Sequence, residues 1–439
     1  MLVQFSIKNF KTFKDKATLS FVASNYDRDT REEDNIFQDL SFNLRILKSA
    51  AIYGANASGK SKFIEALTFM KYFVVTSAKD SQKGDKISVE PFKLNVESEK
   101  EPSEFEIIFI FKNVMYRYGF EVNENIVISE WLYVKPKTKE IELFYRDHQN
   151  FETHKRKFQK GLALIKQDLI RDNALMLSAS AQFNEENAVN IIEWFKNMGT
   201  ISDHNESRFE NYTIAKTQDP LYKSKILRLL KAADLGIQDI KVDRLDLDNL
   251  PKDMPNNLKN LIIQKSKENN TTQFLSGVLT SHEKFDNDKK IVGNINFSLE
   301  EDESLGTRKF FALTGPVLDS IENGSILVID ELDSKLHTNL VSKIVSLFNS
   351  KEFNPKNAQL LFNTHNTNLL SPNLFRRDQV WFTEKNKFGE GKLFSLADFK
   401  SDEVRKTEAF EENYIRGKYG AVPFLGFFDN LIHQNSLSE

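Results

Sequence analysis

One stretch of the sequence has the residue types and spacing of a phosphate-binding loop. Residues 54–61 read GANASGKS, which fits the pattern G-x-x-x-x-G-K-[ST], between the apolar run ILKSAAIYG and the helically spaced SKFIEALTFMKYFVV. A strand before such a loop and a helix after it are the context that supports the motif over a simple glycine-rich turn. The loop N–H groups and the helix N-terminus would point at phosphates. The candidate phosphate-binding residues are Gly54, Ala55, Asn56, Ala57, Ser58, Gly59, Lys60 and Ser61.

Three further polar residues follow apolar runs and could complete a nucleotide-hydrolysing site. Asp330 and Glu331 end the run SILVIDE, and His365 follows the next such run in FNTHN. Lys60 would supply positive charge to the phosphates of ATP, while Ser61 and Asp330 would hold Mg²⁺. Glu331 would polarise the attacking water. Because parallel strands present their carboxyl ends at one edge, we expect His365 beside the two acids.

A Ser-x-Gly-Thr turn precedes the acidic pair. Residues 303–307 read ESLGT, and the segment TRKFFALTGPVL after them has helical spacing. An ordinary helix N-cap at Ser304 or Thr307 is one interpretation. The turn also resembles the signature motif of ABC-type ATPases, which implies that Ser304, Gly306 and Thr307 act in trans on ATP held by a second subunit.

The resemblance extends to other parts of the chain. The N-terminal VQFSIKNFKTF resembles the first strand and loop of the SMC, RecF and OLD branch, and Asp333 in DELDSKLH matches its D-loop aspartate. The C-terminal text RRDQVWFTEKN, LFSLADFK and NYIRGKYGAVP is similar to the tail of the RloA/AbiLi group of AAA15/AAA21 ATPases.

These resemblances imply a function and a set of partners. They imply a homodimer with composite ATP and Mg²⁺ sites, with higher oligomers left open. They also imply control of a separately encoded effector in bacterial anti-phage defence, such as a Toprim, RloB-like or HNH nuclease. The alternative is a RecF/SMC-like ATPase of DNA repair or chromosome maintenance that binds DNA directly. An ABC transporter subunit is disfavoured, because the signature lacks the transporter-type Gly-Gly pair.

Composition narrows the function classes further. The 439 residues carry a net charge of −3 and no cysteine, which excludes disulfides and thiolate chemistry. Because the net charge is slightly negative, any contact with DNA or RNA would be confined to a local basic surface. The basic segment HKRKFQK at 154–160 is one candidate for that surface, although a face exposed to solvent is the simpler interpretation. No apolar signal core or membrane-length run is present, so we expect a cytoplasmic protein without a membrane partner.

The elements that must position these residues are of two kinds. Short aromatic and β-branched segments between 86 and 146 predict antiparallel strands, and amphipathic segments after 155 predict helices. The predicted fold class is α/β: an ABC-ATPase head with a mixed sheet around the phosphate-binding loop, an antiparallel β subdomain and an inserted helical lobe. The predicted parts are an N-terminal half at 1–155, the helical lobe at 156–290 and a C-terminal half at 291–439.

Overall fold

The computed structural model describes most of the chain. The described residues are 1–25, 29–202, 206–246, 254–255, 257, 259, 263–264, 273–399 and 408–423. Numbered in chain order, the strands among them are β1 Leu2–Lys8, β2 Ala17–Ser20, β3 Ile36–Asp39, β4 Leu44–Leu47, β5 Ser49–Gly54, β6 Ser103–Phe111, β7 Val114–Val122, β8 Val127–Lys135, β9 Ile141–Asp147, β10 Asn150–Thr153, β11 Gly199–Ile201, β12 Ile237–Asp246, β13 Gln273–Phe285, β14 Ile291–Ser298, β15 Ile326–Ile329, β16 Gln359–Asn363, β17 Val380–Lys385 and β18 Gly391–Ser395.

The helices differ widely in length. In the described ranges they are α1 Glu32–Asn35, α2 Lys60–Thr76, α3 Gln159–Lys166, α4 Met176–Gln182, α5 Glu186–Asn197, α6 Glu206–Lys216, α7 Pro220–Ala232, α8 Leu305–Asn323, α9 Thr338–Asn349 and α10 Phe410–Ile415. None of these helices combines the length and apolar content that crossing a lipid bilayer requires.

A mixed sheet carries the candidate chemistry. Its order is β11-β15-β16-β5-β17-β18, and every neighbouring pair is parallel except β17 and β18. Strands β5, β15 and β16 are buried along their whole length, as their nearly continuous apolar sequences require of parallel strands covered on both faces. The predicted α/β class with a mixed sheet around the loop is confirmed.

An antiparallel sheet lies on the other side of α2. Its order is β10-β9-β8-β7-β6-β1-β2, which confirms the predicted antiparallel subdomain. The ring of Phe5 contacts Phe63 of α2, and that of Phe105 contacts Phe69. Helix α2 also contacts β5 and β16 of the mixed sheet. Buried residues of α2 therefore belong to one hydrophobic cluster together with residues of both sheets.

One predicted strand in this region is wrong. The segment ISVEPFKLN at 87–95, whose apolar and polar residues alternate as in a strand, forms none: Ile87 donates its N–H to Glu124 O at 2.8 Å, and Lys11 donates its N–H to Glu90 O at 2.9 Å. Ile87 and Val89 are buried, so the alternation of apolar residues reflects the burial of these side chains and not the pairing of a strand. Pro91 has no N–H to donate to a ladder.

The chain divides into two compact units whose boundaries differ from the predicted ones. The first unit contains residues 1–202, 320–334 and 341–439, and the second contains 203–319 and 335–340. The predicted helical lobe at 156–290 is not entirely helical among its described residues. Helices α3, α5 and α7 form where expected, but β12, β13 and β14 build an antiparallel three-stranded sheet in the second unit.

Candidate active site

The phosphate-binding loop leaves β5 and enters α2, as its sequence predicts. Gly54 has a φ of 152°, and a Cβ placed there would lie 2.4 Å from Thr383 O and 2.6 Å from Ser58 Oγ. A larger residue would therefore collide with the neighbouring strand β17. The hydroxyls of Ser58 and Thr383 lie 2.6 Å apart and are hydrogen-bonded, which ties the loop to β17.

Lys60 begins α2 and turns back over the loop. Its Nζ donates to Gly54 O at 2.8 Å and to Ala55 O at 3.0 Å. Burial lowers the pKa of Lys60 to about 8, although Glu331, Asp333 and Asp330 partly offset this by favouring the charged form. A nearby anion stabilises the charged form of a buried ammonium, and phosphate is the anion that such a loop accommodates.

Asn363 joins the end of β15 to the start of α2. Its Nδ2 donates to Asp330 Oδ1 at 2.5 Å and to Ser61 Oγ at 3.3 Å. A carboxylate and a hydroxyl held by one amide are hard oxygen donors of the kind that Mg²⁺ prefers. Within the described ranges no group of three His, Cys, Asp or Glu side chains could hold a metal.

Glu331 lies directly after this network in a rarely adopted conformation. Its φ is 52°, in the left-handed region, and its N–H donates to Asn363 Oδ1 at 2.5 Å. Non-glycine residues hold such a backbone only where surrounding contacts determine it. Asn363 therefore fixes the backbone from which the Glu331 side chain extends.

His365 follows β16 on the same edge of the sheet. Its N–H donates to Asp333 Oδ2 at 3.1 Å, and the other carboxylate oxygen of Asp333 is buried without a hydrogen-bond partner among the described residues. Burial first, and the positive charge of Lys60 second, lower the pKa of His365. Both effects favour the neutral imidazole, which can donate one hydrogen bond and accept one.

The ESLGT residues belong to the second unit and begin α8. The Ser304 hydroxyl accepts the N–H of Thr307 at 3.1 Å and lies 2.9 Å from its hydroxyl, which is the geometry of an N-cap. A Cβ on Gly306 would lie 2.7 Å from Lys335 O. The turn thus has a structural role in this unit, and glycine is required by the close approach of Lys335.

The structure therefore brings together part of the predicted set. The loop residues Gly54 to Ser61, Asp330, Glu331 and His365 share one edge of the mixed sheet, whereas Ser304, Gly306 and Thr307 lie in the other unit. Asn363 and Thr383 also belong to this candidate site, and no motif in the sequence predicts them. The position of Asn363 at the end of the run before His365 was the one signal that pointed to it.

Comparisons with known proteins give a family and a set of structural likenesses. Three solved structures that resemble the chain are an SMC head domain from Thermotoga maritima (14% identity, 90% of this chain and 98% of that chain, TM-score 0.39), an Smc head domain with an extended coiled coil bound to the C-terminal domain of ScpA, derived from Pyrococcus furiosus (14%, 90% and 96%, 0.34), and the recombination mediator RecF with ATP (12%, 90% and 97%, 0.30). No curated protein matches the chain by sequence.

A family model matches residues 49–371, which include the loop, the acidic pair and His365. The family is described as "AAA domain, putative AbiEii toxin, Type IV TA system". Because the match covers most of the chain, this protein belongs to the AAA_21 family of AAA domains.

Proposed function

We propose that this protein is an ABC-type ATPase that binds ATP with Mg²⁺, dimerises on it and hydrolyses it slowly. The observation that carries the proposal is the meeting of the phosphate-binding loop, Asp330, Glu331 and His365 at the carboxyl ends of the adjacent parallel strands β5, β15 and β16. Ligands bind at that edge in open α/β sheets.

Each residue has a role in this proposal that matches its chemistry. Lys60 and the loop N–H groups hold the β- and γ-phosphates, and Ser61 and Asp330 hold Mg²⁺ directly or through water. Glu331 orients and polarises the attacking water, and neutral His365 donates to the γ-phosphate. Ser304, Gly306 and Thr307 close over the ATP of a second subunit, so that a homodimer contains two composite sites.

We propose control of a separately encoded effector in anti-phage defence as the biological role. The toxin and toxin–antitoxin terms in the family's description support a defence setting, as does the resemblance to the RloA/AbiLi group. The effector would be a Toprim, RloB-like or HNH nuclease encoded nearby. A RecF/SMC-like role with direct DNA binding is the second candidate, and the local basic segment at 154–160 is the feature that favours it.

Substitution of Glu331 tests the ATPase assignment. Glu331→Gln should retain ATP binding and lower the turnover number about 100-fold or more, because the amide cannot polarise water as a carboxylate does. Phosphate release and size-exclusion chromatography with ATP and Mg²⁺ measure both properties, and the variant should accumulate as a larger species. Hydrolysis by Glu331→Gln at the wild-type rate would remove Glu331 from the proposed role.

A salt titration separates the two biological candidates. Direct nucleic-acid binding through phosphates weakens steeply as salt rises. The isolated protein should show no such binding to duplex or single-stranded DNA in fluorescence anisotropy between 50 and 200 mM salt, whereas salt-dependent binding, lost on replacing Lys155 and Lys157 by Glu, would favour the RecF/SMC-like role.

A further inference from the structure

Strand β17 lies beside the phosphate-binding loop, although it is outside residues 49–371, which the family model matches. It pairs in parallel with β5, and Thr383 lies opposite Gly54 in the register. The pairing therefore extends to the first residue of the loop. A residue of β17 can for this reason act on the loop although the loop's own motif does not contain it.

Thr383 contacts the loop through a chain of buried hydrogen bonds. Its hydroxyl donates to Tyr53 O at 3.3 Å, and its Oγ1 lies 2.6 Å from Ser58 Oγ. A hydroxyl has one proton to donate, so Thr383 accepts the proton of Ser58 while it donates to Tyr53. The proton of the Ser58 hydroxyl is therefore taken up by β17 and is not available to a phosphate.

Ser58 lies in a turn whose backbone needs support from outside. Its neighbours Ala57 and Gly59 have φ values of 60° and 116°, and a non-glycine residue holds a positive φ only where surrounding contacts determine it. The N–H of Ser58 donates to Ala55 O at 3.2 Å, within the loop itself. The contact with Thr383 connects this turn to the sheet.

Gly54 leaves the space that the two hydroxyls occupy. A Cβ placed on Gly54 would lie 2.6 Å from Ser58 Oγ and 2.6 Å from Thr383 Oγ1, which is too close for any side chain. Ser58 and Thr383 are both buried. The first glycine of the motif thus permits the contact between the two hydroxyls.

Contacts of the two neighbouring residues hold Thr383 in place. Phe382 stacks on Tyr414 with ring centroids 5.2 Å apart, and Glu384 Oε1 accepts the N–H of Ala421 at 3.2 Å. The strand that presents the Thr383 hydroxyl is therefore fixed at the residue before it and at the residue after it.

We propose that Thr383 is a positioning residue for ATP binding, which holds the phosphate-binding loop in its phosphate-binding conformation through the Ser58 hydroxyl. The inference rests on the proposed function. Without the hydroxyl of Thr383, the buried hydroxyl of Ser58 loses its acceptor, and residues 57–59 adopt other conformations for part of the time. ATP should then bind more weakly without a change in the chemical step.

The test is Thr383→Val, which keeps the shape of the side chain and removes the hydroxyl. Titration with a fluorescent ATP analogue should show a Kd about tenfold higher, as expected when a buried hydrogen bond is lost and its partner is left unsatisfied. KM should rise equally, with kcat within about twofold of the wild type. Thr383→Ser keeps a hydroxyl at this position and should bind ATP within about twofold of the wild type.

The matched control is Thr213→Val in the second unit. Thr213 is as deeply buried as Thr383, and its hydroxyl also has two partners: it donates to Ala312 O at 2.8 Å and accepts the N–H of Gly315 at 3.2 Å. Thr213→Val should therefore lower the temperature of unfolding and leave the Kd for ATP unchanged.

Ser58→Ala separates anchoring of the loop from a direct contact with ATP. It should raise the Kd as Thr383→Val does, and the double variant should raise it no further, because both substitutions remove the same contact. A double variant about 100-fold weaker than the wild type would mean that the two hydroxyls act independently, and would overturn the inference. A Kd within twofold of the wild type in either single variant, or an equal loss in Thr213→Val, overturns it as well. A wild-type protein that binds no nucleotide overturns the proposed function instead.

Discussion

Asn363 is the single side chain that connects most of the candidate site. It is fully buried, and its amide bonds Asp330, Ser61 and the backbone N–H of Glu331. Each of these bonds joins groups distant in sequence, so the relative placement of the metal ligands and of the proposed base depends on one residue. A buried amide that satisfies three partners is costly to remove, because each partner is left without its bond.

Asn363→Ala should therefore lower both the stability of the protein and its Mg²⁺-dependent hydrolysis. We expect kcat to fall at least about tenfold and the Mg²⁺ concentration for half-maximal activity to rise, since Ser61 and Asp330 are no longer held together. Phosphate release at varied Mg²⁺ measures both. Asn354→Ala is the control: Asn354 is equally buried and bonds Phe348 O and Ala358, so it should cost stability and leave the Mg²⁺ dependence unchanged.

Lys60 gives ATP affinity a predictable dependence on pH. Burial lowers its pKa to about 8 in the free protein, and only the protonated ammonium attracts phosphate. Affinity should therefore be constant below pH 8 and should weaken as pH rises above it, by up to about tenfold per unit until the pKa of the ATP complex is reached. Lys60→Arg should bind with no such dependence, because arginine stays charged. Equal affinity of the wild type at pH 7 and pH 9.5, measured at saturating Mg²⁺, would contradict this.

The sequence predicts where a residue lies when its position depends on one strand and the loop after it. It does not predict a position that depends on how two strands pair. Gly54, Lys60, Asp330 and His365 follow from motifs because each needs only its own strand and loop. The role of Asn363 depends on the register of β16 between β15 and β5, and that of Thr383 on the pairing of β17 with β5. Neither register is encoded in a short motif.

The helices and strands also differ in how well the sequence predicts them. Helix α2, strands β5 to β9 and the two parallel strands β15 and β16 are predictable, since their apolar periodicity agrees with their burial. The sheet of β12, β13 and β14 is not, because β14 is exposed along nearly its whole length and shows no alternation of buried and exposed residues. A prediction that relies on burial patterns has no signal there.

The same sheet is joined to the start of α8 through largely buried residues of β13. His282 Nε2 lies 2.8 Å from Glu303 Oε1, and the Thr280 hydroxyl donates to the same oxygen at 2.5 Å. Glu303 immediately precedes Ser304, and the side chains of His282 and Glu303 are only 19% and 11% exposed. The sheet therefore helps to fix the beginning of α8.

His282→Ala should destabilise the protein by about 1–3 kcal/mol, as expected for loss of a largely buried hydrogen bond to a carboxylate. Urea unfolding followed by circular dichroism measures the change. His148→Ala is the matched control, because His148 makes the same kind of contact to Asp147 at 2.7 Å but with both side chains more than half exposed. It should change the free energy of unfolding by less than about 0.5 kcal/mol. Equal effects of the two substitutions would mean that the contact between His282 and Glu303 stabilises the protein no more than an exposed contact does.

The proposed composite ATP sites require two copies of the chain. The phosphate-binding loop belongs to the first unit and the ESLGT turn to the second. A two-fold axis then makes two identical composite sites, each with a loop from one copy and a signature from the other. The γ-phosphate would bridge the copies by charge-assisted hydrogen bonds that ADP cannot make.

Mixing two inactive variants tests this arrangement directly. Lys60→Ala removes the charge that holds the phosphates, and Ser304→Arg places a bulky cation in the signature turn, so each homodimer should be inactive. A mixed dimer contains one site with an intact loop and an intact signature, and with random pairing half of the dimers are mixed. Each of these has one of two sites intact, so the mixture should recover about a quarter of the wild-type phosphate release. If differently tagged copies co-purify with ATP and the mixture still hydrolyses none, the signature turn does not act in trans, and Ser304 serves only to cap α8.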